Sequence, residues 1–301
     1  MKGRDAIMLV ALAATWGLSF VFIRIASPEL GPFLLVELRV GIAALVIGLL
    51  VALRGARSSE LPPLRTAPRA YLTLAILNAV VPFTLISAAE LILPASVASI
   101  VNATVPLFTA VLSAVWLTER LTASRSLGLI LGFGGVVLLV GGGSLPIGLW
   151  ALLAVGASLT GAVSYAIGAV YTKRTFPGSS PLALTLGQEL LAAAILLPVA
   201  VATVPGAHWG TAAVASAVGL AVFSTALAYL AYFDLIRRIG PTRSTSVTFL
   251  VPLFGIAWSR LLLGEPIDAS LLLGLALILL GVGLVTGAGA TTPDDRETSG
   301  G

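Results

Sequence analysis

Val105-Pro106-Leu107-Phe108 recurs, residue for residue, as Val251-Pro252-Leu253-Phe254, 146 positions later. At the same spacing Glu119 falls on Glu265, Gly128 on Gly274 and Gly135 on Gly281. The shared unit is a proline-bearing apolar run, an acidic turn and a second apolar run rich in Gly and Leu. Upstream the likeness thins: Trp16-Gly17-Leu18-Ser19-Phe20 lies over Gly161-Ala162-Val163-Ser164-Tyr165, and Glu37-Leu38-Arg39 lies near Gln188-Glu189-Leu190. Self-similarity at a fixed offset means two copies of one structural unit.

What each copy is made of follows from solvent. The 301 residues are 58% hydrophobic and 10% charged, against about 45–50% and about 25% for an ordinary soluble domain. So few charges do not cover a water-facing surface, and the bilayer is the medium that fits. Ten apolar runs are marked, roughly 5–26, 32–53, 69–89, 92–117, 124–142, 146–171, 181–204, 211–235, 241–263 and 269–288. Each is near the roughly 20 residues a helix needs to cross the hydrocarbon. They lack the alternation of a barrel strand, and in lipid every amide needs an internal partner, so helices are expected. Lys2 and Arg4 precede the first run, which is longer than the apolar core of a signal peptide and has a counterpart in the second copy, so it is read as a retained helix.

Five helices per copy is an odd number, so the second copy enters the membrane from the opposite face. The expectation is an all-α polytopic membrane protein of ten transmembrane helices, built as two inverted repeats, 1–143 and 144–289, with a disordered tail over 290–301. Orientation follows from the cations. Lys2 and Arg4 precede helix one. Arg54, Arg57, Arg65 and Arg69 fall in or beside the 2–3 loop, and Arg120 and Arg125 in the 4–5 loop. Lys173 and Arg174 lie in the 6–7 loop, Arg237, Arg238 and Arg243 in the 8–9 loop, and Arg296 in the tail. Only Arg24, Arg39 and Arg260 fall in or at the ends of the runs. All the loop cations lie on one side, which places both termini in the cytoplasm.

The same residues exclude other classes. The net charge of +4 is scattered over short loops rather than gathered into a nucleic-acid patch. No cysteine is present and His208 is the single histidine, which excludes disulfides, thiolate sites and a multi-histidine metal centre. No phosphate loop or nucleophile elbow occurs; Gly132-Phe133-Gly134-Gly135 belongs to a membrane span. Neither an enzyme, a catalytic residue, a metal nor a cofactor is expected.

Ala226-Leu227-Ala228-Tyr229, Gly240-Pro241, Val251-Pro252 and Gly264-Glu265-Pro266, followed by a Gly-rich last helix, resemble the EamA family of the drug/metabolite transporter superfamily. Trp16-Gly17, Ser19-Phe20 and Glu37-Leu38-Arg39 resemble its other half. The resemblance covers about residues 6–288 and is greatest to bacterial amino-acid exporters. It implies a multi-pass carrier of the bacterial inner (plasma) membrane that exports amino acids or related small metabolites. It also implies a central cavity lined by helices 1, 3, 4, 6, 8 and 9, with 5 and 10 at the periphery. Another exported solute (a sugar, a purine or an amphipathic drug) or a non-transporting receptor or scaffold is the alternative. An inverted repeat suits alternating access, because exchanging the two copies' conformations opens the other side.

Polar groups inside a membrane are costly, so each is a candidate. Ser99 and Asn102 form a stripe with Ser96 one turn before Pro106; Ser244, with Ser246 and Thr248, is the weaker counterpart. Asn78 lies on helix 3 and Tyr229 on helix 8. Trp16 and Ser19 on helix 1 and Tyr165 on helix 6 place aromatic and hydroxyl groups in equivalent regions, suited to an apolar side chain or an ammonium. These eight are the expected substrate-binding set, and Pro106 and Pro252 are expected mid-helix hinges. Arg39, deep in helix 2, either pairs with Glu37 or a helix terminus, snorkels to the outer surface, or attracts a carboxylate. Glu189 is the candidate coupling carboxylate. Thr122 and Asp268 are expected to cap helices 5 and 10, and Glu119 and Glu265 to be structural. The expected partners are a small-molecule substrate and lipid, with the chain a monomer.

Overall fold

The computed structural model describes residues 3–53, 61–116, 121–142, 148–239, 244 and 247–287. Glu119, Ser246, the tail 290–301 and the loop cations Lys2, Arg54, Arg57, Arg120, Arg243 and Arg296 lie outside them. Among the described residues all regular structure is helical. In chain order the helices are α1 Gly3–Leu30, α2 Pro32–Leu53, α3 Pro68–Ala89, α4 Ala95–Trp116, α5 Ala123–Gly141, α6 Leu149–Thr175, α7 Pro181–Gly206, α8 Thr211–Tyr232, α9 Val247–Leu263 and α10 Ala269–Thr286. All but α9 are long and apolar enough to cross a membrane, and α9 is a shorter apolar helix. Large side chains such as Leu45, Leu49, Ile130, Val137, Val201 and Leu280 stand exposed on the outside, where acyl chains rather than water would meet them.

The ends follow local chemistry. The Thr122 hydroxyl accepts from Arg125 N at 3.3 Å and the Asp268 carboxylate from Leu271 N at 2.7 Å, so both expected caps are in place. Ser180 caps α7 in the same way. One boundary differs from the sequence reading. Ser27-Pro28 does not end the first helix; α1 runs on to Leu30 and the turn comes at Gly31, with φ +76°. A proline in the final turn removes only one ladder bond, and glycine alone adopts the left-handed turn at no steric cost.

Inside the spans the ladder is interrupted by π turns in two matched places, and once more over Ser259–Leu263 of α9 without a counterpart in α4. α3 holds a π-helical turn over Ile76–Val80 and α8 one over Val222–Leu227, and their starts are 146 residues apart, the repeat offset. Each matched π turn sets backbone carbonyls off register, and a donor from the helix packed against it takes one of them. Trp16 Nε1 of α1 donates to Ser224 O at 3.2 Å, and Ser164 Oγ of α6 donates to Leu77 O at 2.8 Å. The two prolines are not matched. α4 breaks at Ala103-Thr104 just before Pro106, whereas the helix around Pro252 is continuous from Val247 to Trp258.

Packing is exchange-symmetric. α1 packs on α9, and their mates α6 and α4 pack together; α1 meets α8 as α6 meets α3; α2 faces its own mate α7. The closest seam joins α5 to α10. A Cβ on Gly128 would stand 2.6 Å from Gly281 O, and one on Gly135 would stand 2.8 Å from Gly274 O. Only glycine permits these backbones to approach so nearly.

Candidate functional site

Between the two halves lies a cavity of about 640 Å³. Both copies build it. α1, α3 and α4 contribute Trp16 and Ser19, Asn78, and Ser99, Asn102 and Pro106. α6, α8 and α9 contribute Tyr165, Tyr229 and Pro252. With Arg39, ten of the twelve residues singled out from sequence as site candidates thus meet around one cavity, and Thr248 of α9 joins them. Ser244 is fully buried and is not on the wall. The resemblance implied six lining helices. The structure adds α2 through Arg39, and α7 through Pro181, Leu184, Thr185 and Gln188, while α5 and α10 contribute no wall residue.

Aromatic rings shape the interior. The Trp16 indole, held by its bond to Ser224 O, sits with its centroid 5.3 Å from Tyr232 and 6.4 Å from Tyr229. Phe83 and Tyr165 meet edge to face at 6.1 Å. Such pairs fix ring orientation, so the apolar wall is preformed. The polar wall is more sparing. Ser99 Oγ bonds back to Ser96 O at 2.7 Å, and Asn102 Oδ1 is buried without a partner. Asn78 fits against Gly168, whose hydrogen leaves the room that its amide needs.

Arg39 is the charged group of the wall. It is 9% exposed, which corrects the reading that it snorkels to the outer surface. Pairing with Glu37 is also absent, since Glu37 Oε2 is buried without a partner. The reason is packing. The guanidinium carbon stands 3.5 Å from the centre of the Phe83 ring, and Nε donates to Thr225 Oγ1 at 3.1 Å. Thr225 in turn donates to Leu220 O at 3.0 Å inside the π turn of α8. Ring and hydroxyl together hold the arginine inward. Glu189 is fully buried off the wall, where its Oε1 accepts from Gln188 Nε2 at 3.1 Å and its Oε2 has no partner.

The two ends of the cavity differ. One runs toward Thr172, Pro181, Leu184 and Thr185, beside the last turn of α6, which carries Lys173 and Arg174. The other is laced. There Arg24 Nη1 donates to Glu90 O, and Ser27 Oγ donates to Ser87 O at 2.8 Å. The Glu265 carboxylate accepts from Ala95 N at 2.8 Å, from Ser96 N at 3.0 Å and from Ser96 Oγ. Glu265 is thus structural, as expected, and its charge sits at the positive end of α4. Glu90 escaped the sequence reading. It is fully buried with both carboxylate oxygens unpartnered. The signal was available, because Glu90 is the sole acidic residue between Glu60 and Glu119. Among the described residues no three His, Asp or Glu side chains converge as metal ligands would.

The sequence profile of the EamA-like transporter family matches twice, over residues 4–141 and 149–287. The uncharacterized transporter YvbV of Bacillus subtilis is 32% identical over 94% of this chain and 92% of its own length. The uncharacterized inner membrane transporter YedA of Escherichia coli is 32% identical over 92% of this chain and 89% of its own. A probable amino-acid metabolite efflux pump of Salmonella typhimurium is 27% identical over 94% of each. A crystal structure superposes with a TM-score of 0.62 at 22% identity, over 96% of this chain and 98% of the other, which speaks to the fold alone.

Proposed function

We propose that this chain, which belongs to the EamA-like transporter family, exports amino acids or related small solutes from the cytoplasm by alternating access. It is a multi-pass protein of the inner membrane. The observation that carries the reading is the cavity itself. It lies between two halves of like sequence, both halves build it, it extends to one end, and hydrogen bonds lace the other. A small solute entering at the open end would be released when the lacing passes from one end to the other. The efflux pump among the relatives supports the solute class.

In this reading residues 1–143 and 144–289 are antiparallel copies related by a two-fold axis in the membrane plane. Both termini and the tail 290–301 are cytoplasmic, so the open end faces the cytoplasm, and the chain works as a monomer in lipid. The matched packing of α1 on α9 and α6 on α4 supports the two-fold relation, and the cations of the 6–7 loop support the orientation. Pro106 and Pro252 are its hinges and the aromatic wall its binding surface.

The test is counterflow. Proteoliposomes preloaded with unlabelled amino acids, scanned over apolar, polar and charged side chains, are expected to accumulate the labelled counterpart saturably. Absence of counterflow for every solute would end the carrier reading. Because the chain has no cysteine, single cysteines at Lys2 and Ser299 report topology without background. Labelling of both from the same face is expected, and opposite faces would exclude five helices per half.

A further inference from the structure

We propose that the cavity selects solutes that carry a carboxylate on an apolar or aromatic body, with the carboxylate seated on the terminal nitrogens of Arg39. The carrier reading supplies its physiological role. The seat itself stands on geometry.

A cation buried in a membrane protein is costly and is normally matched by a carboxylate. Arg39 is buried and has no carboxylate within ion-pair distance among the described residues. Glu189 and Glu90 lie within reach of its field, but neither comes within ion-pair distance and neither stands on the wall. Arg39 nonetheless stands on the cavity surface. Its Nε is committed to Thr225 and one face of its plane to Phe83. That leaves the paired Nη groups, whose parallel N–H bonds fit a carboxylate in bidentate fashion. The orientation is fixed in advance, since Thr225 holds the near edge and the ring blocks one face. A preset fork loses little freedom on binding.

The remaining wall says what the carboxylate is attached to. Trp16, Phe20, Phe83, Tyr165 and Tyr229 surround the space, so the body of the solute meets rings rather than charges. Among the described residues no second buried cation stands on the wall, so a monocarboxylate suffices. In this arrangement a bound solute supplies the directly paired carboxylate that neither Glu189 nor Glu90 provides.

The test uses matched acids and amides on the full-length protein in nanodiscs, read by isothermal titration and by the change in tryptophan fluorescence that Trp16→Phe abolishes. The probes are L-phenylalanine with L-phenylalaninamide, and 3-phenylpropionate with 3-phenylpropionamide. Each acid is expected to bind at least tenfold more tightly than its amide. In Arg39→Lys the charge stays but the fork is lost, and the acids are expected to weaken about tenfold while the amides hold. Equal binding of acids and amides, binding by none of the four probes, or an unchanged ratio in Arg39→Lys would overturn the seat. The comparison on the unsubstituted protein holds even where a variant fails to fold. Counterflow of the same probes separates the two ideas. Acid-selective binding without counterflow of any solute keeps the seat and removes the carrier. Counterflow indifferent to the carboxylate keeps the carrier and removes the seat.

Discussion

At one end of the cavity Arg24 reaches across to the Glu90 carbonyl; at the other, the residue that the repeat places over Arg24 is Ala169, which stands on the open wall with no donor at all. The crossings above them differ in the same sense. Where α1 meets α9, Gly17 lies against Gly255, so that a Cβ on Gly17 would stand 2.7 Å from Phe254 Cβ, and Trp258 Nε1 donates to Ala14 O at 2.9 Å. Where α6 meets α4, the mates of Gly17, Gly255 and Trp258 are Ala162, Thr109 and Leu112, two of them bulkier and the third without a donor. Topology is shared by the copies, but fastening is not. The repeat sets which helices meet, and the small or polar residues at each meeting set how firmly.

The contrast is broken most severely at the crossing itself. Gly17→Leu has nowhere to put its side chain, because the neighbouring backbone of α9 does not yield; a loss of about 3 kcal/mol, at the upper end for overpacking, is expected as a lowered melting temperature and a poor yield of monodisperse protein. Next comes the lacing. Glu265→Ala strips three donors of their acceptor at the start of α4 and is expected to cost about 2 kcal/mol. It is also expected to raise the labelling, from the far side, of a cysteine placed at Ser19 on the cavity wall. An unchanged labelling rate would show that Glu265 caps a helix and closes nothing. Trp258→Phe keeps an aromatic ring but removes the bond to Ala14 O together with the packing of the indole's second ring, with an expected loss of about 1–2 kcal/mol by thermal melting. Smallest is Thr109→Ala on the unlaced crossing. Its hydroxyl bonds only to Val105 O of its own helix, so a change within about 0.5 kcal/mol and unaltered counterflow are expected. A cost as large as that of Trp258→Phe would mean the two crossings are fastened alike.

Much of the architecture was legible because hydrocarbon is a strict solvent. Runs of about 20 apolar residues announce spans, Thr122 and Asp268 announce helix starts, and the recurrence of Val-Pro-Leu-Phe announces the copy. The π turns at Ile76–Val80 and Val222–Leu227 were not legible. A one-residue slip in the ladder depends on which neighbour offers a donor, here Trp16 and Ser164, and those neighbours lie far off in sequence. Identical prolines misled in part, since Pro106 follows a broken turn and Pro252 sits in an unbroken helix. The facing of Arg39 was left open by the sequence, because position is counted along the chain whereas facing is decided by Phe83 and Thr225. Ser244 missed the wall for the same reason.

The glycine seam between α5 and α10 has one more consequence. Gly128 abuts Gly281 and Gly135 abuts Gly274, and swapping the copies turns the first contact into the second. That is the reciprocal pattern of an interface between identical partners. A polypeptide of half this length, bearing a single copy, would already own a ridge able to dock onto its twin. Fusion of two such genes would preserve the joint unchanged while freeing each copy to diverge at the cavity.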